Sequence, residues 1–488
     1  MPKYENVVIS GVAAEGKAVA RIDDCVVFVG NCVPGDVVDL QITKKKHSYM
    51  EGRVDRYVSL SDKRCAPVCK HFGECGGCKW QMLPYEEQLG YKRQQVMDNL
   101  TRIGKVTLPE VAPALGSKQI YEYRNKLEFS CSDRKWLSWD AIRAAGGLDK
   151  ADNSYGLGFH IAGAFDKVLD IEECHLMPAV NDRIRNFVRD YARERSLTFY
   201  NEHSHTGFLR GLILRSAPTT GELMLTVVFA EDRKAAQEAL LEELHSRFPE
   251  ITALLWVLNT KYNDTIGDLE VHVYAGADHV TETMEELRFK VGPKSFYQTN
   301  TEQAYELYKV VRRFAFAAEG ANTAAASQGQ PVIYDLYTGT GTIAQFVAHG
   351  AEKVIGIEYV PEAIADAEEN ARLNGIENVQ FFAGDMRKIL TEAFVKEHGR
   401  PDIIITDPPR AGMDKEVVCV IMQSAPQRIV YVSCNPATQA RDLALLCGTA
   451  GDDGADMPET RYRITAVQPV DMFPHTQHVE NVVALEKI

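Results

Sequence analysis

The spacing of hydrophobic residues changes along the chain, and each change marks a new predicted domain. Within residues 1–62, five short apolar runs alternate with Gly, Asp and Pro-Gly-Asp turns, which predicts a small β-barrel. Residues 63–290 begin with a cysteine-rich loop at 65–80 and a helical pattern at 84–104. Strand patterns then dominate, interrupted by one helical pattern near 178–195, so we predict a central α+β domain. The first of these helices is expected either to belong to that domain or to pack on the domain that follows.

Residues 291–488 alternate strand patterns with helical patterns. The predicted strands are 332–337, 353–358, 379–385, 402–407 and 428–434. This alternation predicts a Rossmann-like α/β domain with a mostly parallel sheet and helices on both faces. Two final apolar runs, 462–473 and 479–488, are predicted to form an antiparallel pair at the edge of the sheet. Two stretches rich in small residues, 140–155 and 317–330, are predicted to be a loop and a linker.

Composition and charge narrow the class of protein. The chain has 488 residues, of which 45% are hydrophobic and 25% charged, which is typical of a soluble globular protein. It has no apolar run of 18 residues and no secretion signal, so we expect a cytoplasmic protein without a membrane span. The net charge is −14, but residues 41–64 hold seven Lys or Arg against three acidic residues. On an oligonucleotide-binding type of barrel, this patch is explained equally well by an RNA contact and by a solvated loop.

Acidic residues and glycines follow the ends of the strands predicted after residue 291. In chain order they are Asp335, Gly339, Gly341, Glu358, Asp385 and Asp407. Ligands bind at this edge of such sheets, and an acid placed like Glu358 can accept both ribose hydroxyls of an adenosine. The register G-T-G-T-I-A lacks the third glycine of a dinucleotide fingerprint, and acidic strand ends suit a cation. We therefore predict S-adenosylmethionine (SAM); the alternative is that Asp335 and Asp385 are only helix caps or turn acids.

Two neighbouring predicted strands each end in a reactive side chain before proline, in Asp407-Pro-Pro and Cys434-Asn-Pro. The Asn-Pro pair is expected to stop the strand so that the thiol faces the crevice at the strand ends. A thiolate beside SAM indicates methylation of carbon 5 of a pyrimidine, because addition to carbon 6 makes carbon 5 nucleophilic. Glu480, near His475 and His478, is the candidate base for the proton on carbon 5. The alternative for Cys434 is a core thiol, and the alternative for the Asp-Pro-Pro run is a stiff turn. Glu480 would then be a surface acid, and the two histidines would only pack.

Cysteines cluster in the loop at residues 65–80. The closely spaced members are Cys69, Cys75 and Cys78. Their spacing is C-x5-C-x2-C, and glycines within it let the loop fold around a compact group, so zinc and an iron–sulfur cluster both fit. Cys174, in a polar loop ahead of a helix, is the expected fourth ligand, and Cys65 is its competitor. The total of eleven cysteines is odd, which argues against a disulfide framework.

Six motifs occur in the order of a known family. They are CKHFGECGGCKWQ, SFYQTN, LYTGTGT, DPPRAG, SCNP and HTQHVE. This ordered set resembles the RNA 5-methyluridine methyltransferases, and in particular the iron–sulfur-containing 23S rRNA (uracil-5-)-methyltransferase branch. The resemblance covers nearly the whole chain, with the barrel similar to a TRAM domain. It implies a SAM-dependent RNA methyltransferase that carries a 4Fe–4S cluster.

The resemblance also assigns roles to single residues. It implies that Cys434 is the nucleophile, that Glu480 is the base and that Asp407 also holds the uracil edge. With Asp385 added from the strand ends, the expected SAM residues are Gln298, Tyr337, Thr342, Glu358, Asp385 and Asp407. Thr342 stands where related sequences often have Asn. The expected cluster ligands are Cys69, Cys75, Cys78 and Cys174. We also expect the surroundings of Cys434 to lower its pKa, as in other reactive cysteines.

The expected partner is RNA with an unpaired or flipped-out uridine, bound by a monomer. Phe296, Arg124 and Lys126 are candidate RNA contacts, with core packing or a solvated face as the alternative. The tRNA branch is understood to lack the barrel and the cysteine loop, so their presence favours 23S rRNA. The competing hypotheses are a tRNA enzyme with the same chemistry, a non-catalytic iron–sulfur RNA-binding protein and a zinc loop.

Overall fold

The computed structural model describes residues 2–316, 329–450 and 458–488. Most of the linker predicted at 317–330 therefore lies outside the described residues. In the described part, a closed barrel is followed by a seven-stranded sheet, a two-stranded hairpin and a second seven-stranded sheet. No helix in these ranges combines the length and the apolar composition that a membrane crossing requires.

The N-terminal domain is the five-stranded barrel that the alternating apolar runs predict. Its strands are β1 (Lys3–Val12), β2 (Ala18–Ile22), β3 (Cys25–Val29), β4 (Val37–Lys45) and β5 (Tyr49–Ser59). They join in the order β1-β2-β3-β5-β4, and β4 pairs with β1 to close the barrel. Side chains at alternate positions point inward, and Val27, Leu40 and Ile42 are buried there. The prediction of a small barrel is confirmed.

The central domain is built on a mixed seven-stranded sheet. Its strands are β6 (Lys126–Ser132), β7 (Gly156–Ile161), β8 (Ala164–Asp170), β9 (Leu209–Ala217), β10 (Glu222–Phe229), β11 (Ala253–Leu258) and β12 (His272–Gly276). The helices of this part of the chain are α1 (Tyr85–Arg102), α2 (Trp139–Ala144), α3 (Val180–Glu194) and α4 (Lys234–Arg247). The strand order is β12-β11-β10-β9-β6-β7-β8. One face of the sheet packs on α3 and α4, since Val188, Leu244 and Leu212 share one buried cluster.

Two helices of the central domain were not predicted. Helix α2 lies mostly in the stretch 140–155 predicted as a loop, and none of its residues is buried, so it leaves no apolar stripe in the sequence. The expectation of a single helix near 178–195 is also wrong, because α4 follows α3. Its buried stripe of Leu240, Leu241 and Leu244 is short and lies between two strong strand patterns.

The C-terminal domain is the predicted α/β sheet. Its strands are β15 (Val332–Leu336), β16 (Lys353–Glu358), β17 (Val379–Ala383), β18 (Ile403–Thr406), β19 (Arg428–Ser433), β20 (Tyr462–Val470) and β21 (Glu480–Lys487), and they follow the hairpin β13 (Val280–Met284) and β14 (Leu287–Val291). Its helices are α5 (Thr301–Phe316), α6 (Thr342–Val347), α7 (Pro361–Leu373), α8 (Met386–Ile389), α9 (Glu392–His398), α10 (Lys415–Ser424) and α11 (Pro436–Cys447). The order is β17-β16-β15-β18-β19-β21-β20, with the first five strands parallel. Strand β21 is antiparallel to both neighbours, as predicted.

Two elements that begin before residue 291 pack on the C-terminal domain. Val96 and Leu100 of α1 share a buried cluster with Leu443 of α11. The hairpin β13–β14 shares another cluster with α5 and the second sheet, through residues such as Phe289. Helix α1 therefore takes the second of the two positions expected for it. The boundary predicted at 290/291 falls inside β14.

Candidate active site

The cysteine and the glutamate predicted to be catalytic lie side by side. Strand β19 ends at Ser433, so Cys434 is the first residue beyond it, and Glu480 is the first residue of β21. The antiparallel register pairs Ser433 with Asn481, which places Cys434 next to Glu480. Both residues line a cavity of about 1410 Å³. The strand register thus brings two residues that are distant in sequence to one cavity.

Asn435 and Pro436 end the strand and begin the next helix. Asn435 caps α11, since its Oδ1 accepts a hydrogen bond from the backbone N–H of Ala437 at 3.2 Å, and Pro436 lies in the first turn. The Nδ2 of Asn435 donates to the carbonyl of Arg410 at 3.0 Å. The backbone thus changes direction directly after Cys434, and the thiol lines the cavity as predicted.

Asp407 follows the end of β18 and lines the same cavity as Glu480. Burial raises the pKa of both carboxyl groups above their usual range. The negative charge of Asp407 raises the pKa of Glu480 further, and that of Asp335 does the same for Asp407. Neighbouring buried carboxyl groups resist ionising together. This cavity therefore holds carboxyl groups that exchange protons near neutral pH, as a general base must.

The expectation of a lowered pKa for Cys434 is wrong in this structure. Burial raises the pKa of the thiol to about 11, and the negative charges of Glu480 and Asp407 act in the same direction. Arg410 opposes them, because its guanidinium stabilises the thiolate. Arg410 also lowers the pKa of Glu480 and lines the cavity. Sequence reasoning missed this residue, although it directly follows the Asp-Pro-Pro run.

One further group that lines the cavity was not expected. Tyr308 of α5 lines the cavity and is only 6% exposed; burial and then the charges of Asp407, Asp335 and Glu480 raise its pKa. Asp335, a strand-end candidate for SAM, is not among the residues that line the cavity; it is buried and accepts a hydrogen bond from Thr338 Oγ1 at 2.5 Å. Burial raises the pKa of Asp335 to about 7. The helical spacing around Tyr308 reads as ordinary core packing, so only the tertiary structure places it at the site.

The glycine turn after β15 forms part of the cavity wall through Gly339. Gly339 and Gly341 have φ values of 56° and 73°, which favour glycine. A Cβ added at Gly341 would lie 2.8 Å from the Phe381 ring. The N–H of Gly339 donates to Glu358 Oε2 at 3.1 Å, so the turn and the acid that ends β16 are joined. Backbone and carboxylate thus form one wall of the cavity.

Most of the expected SAM residues line this cavity. They are Gln298, Tyr337, Thr342, Glu358 and Asp407. Asp385 is not among the lining residues. Its Oδ1 accepts from the backbone N–H of Arg387 at 3.0 Å and caps α8, and its carboxylate pairs with the Arg387 side chain. Asp385 therefore has the cap role given above as the alternative, and a contact with SAM stays a prediction for it.

The two histidines of the HTQHVE motif have different surroundings. His475 is buried, stacks on Tyr121 with ring centroids 4.4 Å apart, and its backbone carbonyl accepts from Lys79 at 2.8 Å and Trp80 at 3.0 Å. His478 lines the cavity, and burial lowers its pKa to about 4, so it is neutral near pH 7. His475 thus packs structurally and ties the end of the cysteine loop to the strand that carries Glu480.

The four cysteines expected as cluster ligands surround a second cavity of about 890 Å³. They are Cys69, Cys75, Cys78 and Cys174. Cys65 does not line it; its Sγ donates to the Gln81 carbonyl at 3.3 Å. Among the described residues, one group of potential metal ligands has its ligand atoms within 4.8 Å of one another, and it consists of His160, Glu202 and Asp264. The four cysteines are not part of that group.

Residues 294–301, here called the wall segment, separate the two cavities. Ser295, Phe296 and Thr299 line both of them. Phe296 is 67% exposed, so its ring is accessible at the rim, and Arg124 also lines both cavities. Lys126 lines the second cavity and forms an ion pair with Glu128 at 2.5 Å. The candidate RNA contacts thus lie around the cavities, not in the core.

Comparison with protein families and curated proteins gives consistent matches. Residues 273–488 match the model of the tRNA (uracil-5-)-methyltransferase family. An uncharacterized RNA methyltransferase of Bacteroides thetaiotaomicron is 56% identical over 97% of this chain and 100% of its own length. Similar uncharacterized RNA methyltransferases of Porphyromonas gingivalis and Chlorobaculum tepidum are 54% and 41% identical, over 98% and 95% of this chain and 98% and 91% of their own lengths.

A solved structure matches the entire architecture. It is the tRNA (uracil-54, C5)-methyltransferase of Pyrococcus abyssi in complex with S-adenosyl-L-homocysteine (SAH). The TM-score is 0.72 and the identity 26%, with 99% of each chain covered. Since that coverage includes the N-terminal barrel, the expectation that tRNA enzymes lack it is wrong. The barrel therefore does not discriminate between rRNA and tRNA substrates.

Proposed function

The chain belongs to the RNA 5-methyluridine methyltransferase family, and from this premise we propose that it methylates carbon 5 of a uridine in 23S rRNA. The observation that carries the proposal is the meeting of Cys434, Glu480 and Asp407 at one cavity, which the glycine turn and Glu358 also line. A nucleophile, a base and a nucleoside-binding acid in one cavity are what this reaction needs. Use of SAM is supported by the family and by the SAH complex of the similar archaeal enzyme.

The first step would be addition of the Cys434 sulfur to carbon 6 of the uracil. The S–C bond forms, the carbon 5–carbon 6 double bond opens, and the electrons give an enolate whose carbon 5 is nucleophilic. The thiol must first lose its proton, which its raised pKa opposes. Arg410 favours the loss. The carboxylate of Asp407 would accept the proton, which also removes a negative charge that opposes the thiolate. We therefore assign to Arg410 the task of stabilising the thiolate.

SAM, held beside Gln298, Tyr337, Thr342 and Glu358, would supply the methyl group to carbon 5 of the enolate and would leave as SAH. Glu480 would then remove the proton from carbon 5, and the electrons of that C–H bond expel the Cys434 thiolate from carbon 6. The raised pKa of Glu480 makes it a stronger base than an ordinary carboxylate. Asp407 would bind the uracil edge, for which a protonated carboxyl group can act as donor and acceptor.

Cys69, Cys75, Cys78 and Cys174 would hold a 4Fe–4S cluster. Four thiols around one cavity of about 890 Å³ fit such a group. The resemblance of the CKHFGECGGCKWQ motif to the iron–sulfur loop of the family favours the cluster over zinc. A brown colour with broad visible absorbance in anaerobically purified protein would support this, and a colourless zinc-loaded protein would refute it.

The choice of 23S rRNA rests on the cysteine loop and on the ordered motifs. A tRNA substrate is the second candidate, and the 26% identity to an archaeal tRNA enzyme over the whole chain favours it. Mapping 5-methyluridine in the rRNA and tRNA of a deletion strain separates the two. Loss of a single rRNA modification, restored by the wild-type gene but not by Cys434→Ala, is the expected result. Loss confined to tRNA would refute the rRNA assignment.

A test of catalysis itself uses purified protein, labelled SAM and RNA from that deletion strain. The wild-type protein should form 5-methyluridine, and Cys434→Ala should form none. No product from the wild-type protein, together with no SAH binding by calorimetry, would instead support a non-catalytic RNA-binding protein that uses the fold as a scaffold.

A further inference from the structure

The wall segment is held in place from outside the C-terminal domain, by Asn125. This residue directly precedes β6 of the central sheet and is only 1% exposed. Its backbone N–H donates to the Thr299 carbonyl at 2.7 Å. Its side-chain Nδ2 donates to the Gln298 carbonyl at 2.9 Å and to Thr301 Oγ1 at 2.9 Å. One buried asparagine thus makes three hydrogen bonds along the wall segment.

Asn125 is itself fixed firmly to the central domain. Its carbonyl accepts from the backbone N–H of Ser216 at 2.8 Å, which anchors it to β9. The preceding residue, Arg124, donates its N–H to the Leu176 carbonyl at 2.7 Å, two residues beyond Cys174. The position of Asn125 is therefore set by the central sheet and by the chain near the expected cluster ligand.

The bonds from Asn125 reach the part of the wall segment that faces the expected SAM site. Gln298 lines the catalytic cavity, and in the described part of the chain its carbonyl accepts one hydrogen bond, from Asn125. Thr301 extends this chain of hydrogen bonds into the C-terminal domain, because its hydroxyl donates to Oε1 of the buried Glu282 at 2.7 Å. The opposite end of the segment is held from both domains. Ser295 Oγ donates to Asp366 at 2.6 Å, and the guanidinium of Arg215 in β9 donates to the Ser295 carbonyl at 2.9 Å.

We propose that Asn125 is a positioning residue for the SAM site and sets the backbone at Gln298 from the central domain. The proposal rests on the proposed contact of Gln298 with SAM. The side-chain donors of Asn125 are buried, so water cannot replace them without cost when the residue is substituted. The Gln298 carbonyl is then left without a hydrogen-bond partner. SAM affinity then depends on the domain expected to bind RNA as well as on the domain that contains the cavity.

The test is Asn125→Asp in the full-length protein, with SAH affinity measured by calorimetry in the absence of RNA. The two side chains have the same shape, but the variant loses the two N–H donors. The dissociation constant for SAH should rise about tenfold. Asn125→Ala should have a similar effect, which excludes the new charge as the cause.

Asn259→Asp is the matched control. Asn259 is also a buried asparagine of the central domain, and its Nδ2 donates to the Asn263 carbonyl at 2.9 Å, away from the wall segment. Both Asp variants should lower the unfolding temperature, but the control should leave SAH affinity within twofold of the wild-type value. A purely structural role for Asn125 would lower SAH affinity in neither variant or equally in both.

The outcomes separate this inference from the proposed function. Unchanged SAH affinity in Asn125→Asp overturns the positioning role even if the wild-type protein methylates uridine. A tenfold loss of SAH affinity supports that role even if no methylated uridine is found, in which case only the proposed function fails. In an active protein, the KM for SAM should rise in Asn125→Asp while the KM for RNA stays within twofold.

Discussion

The reactivity of Cys434 should rise steeply with pH, because the structure keeps its thiol protonated. The thiolate is the reactive form, and its fraction depends on the difference between the pH and the pKa. With a pKa of about 11, about one molecule in ten thousand carries the thiolate at about pH 7, and about one in a hundred at about pH 9. The alkylation rate of Cys434 in the free protein should thus increase about tenfold per pH unit over this range.

The charged groups around the thiol modify this slope. Glu480 and Asp407 lose their protons in or just below the same range, and their negative charges contribute to the raised pKa of Cys434 only once they are ionised. The slope should therefore be shallower than tenfold where they ionise. Arg410 acts in the opposite direction, so Arg410→Met should slow alkylation at every pH.

The assay is a time course with iodoacetamide, followed by peptide mapping that separates Cys434 from the other cysteines. Cys434→Ser identifies the peptide, and Cys447, whose pKa burial also raises to about 11, provides an internal comparison. A rate at Cys434 that stays flat between neutral and mildly alkaline pH would refute the reasoning, because it would mean that the thiolate already exists at neutral pH.

Three further substitutions test other parts of the structure. Glu480→Gln should accumulate a methylated covalent protein–RNA adduct on denaturing gels, since the step it blocks follows methyl transfer; normal product release would contradict the role of the base. Lys92→Met should lower the free energy of unfolding in urea by about 3–5 kcal/mol, because it leaves Asp471, 2.5 Å from Lys92 Nζ, buried without its partner. Most of this loss should be recovered in Lys92→Met/Asp471→Leu, and a loss below about 1 kcal/mol in the single variant would refute the estimate. Gly341→Ala should weaken SAH binding by about tenfold or more in calorimetry, since the added Cβ would lie 2.8 Å from the Phe381 ring at a φ of 73° and would displace the turn that carries Gly339. Unchanged affinity would contradict a role of this turn in binding.

The part of the site that could be predicted is the part placed at strand ends. Asp407, Cys434 and Glu358 each end an apolar run, and the carboxyl ends of parallel strands meet at one edge of a sheet. Glu480 required one more step, because it lies at the start of an antiparallel strand. The predicted edge pair put that strand beside the one that ends before Cys434.

The electrostatics of the site could not be predicted. The neighbours of Cys434 in sequence are uncharged, and the groups that shift its pKa, Glu480, Asp407 and Arg410, come from other parts of the chain. Asp385 shows the reverse, because its strand-end position suggested a ligand contact but its side chain caps a helix. Position in a strand limits where a side chain can lie, but its partners depend on packing.

The sequence by itself determined the barrel, the parallel sheet and the residues capable of the chemistry, because apolar periodicity and turn residues act over a few neighbouring positions. The tertiary structure decided the raised pKa of Cys434, the packing of α1 on the C-terminal domain and the bonds from Asn125 to the wall segment. Burial and hydrogen bonding between domains join residues that are far apart in the chain, and no local pattern records those contacts.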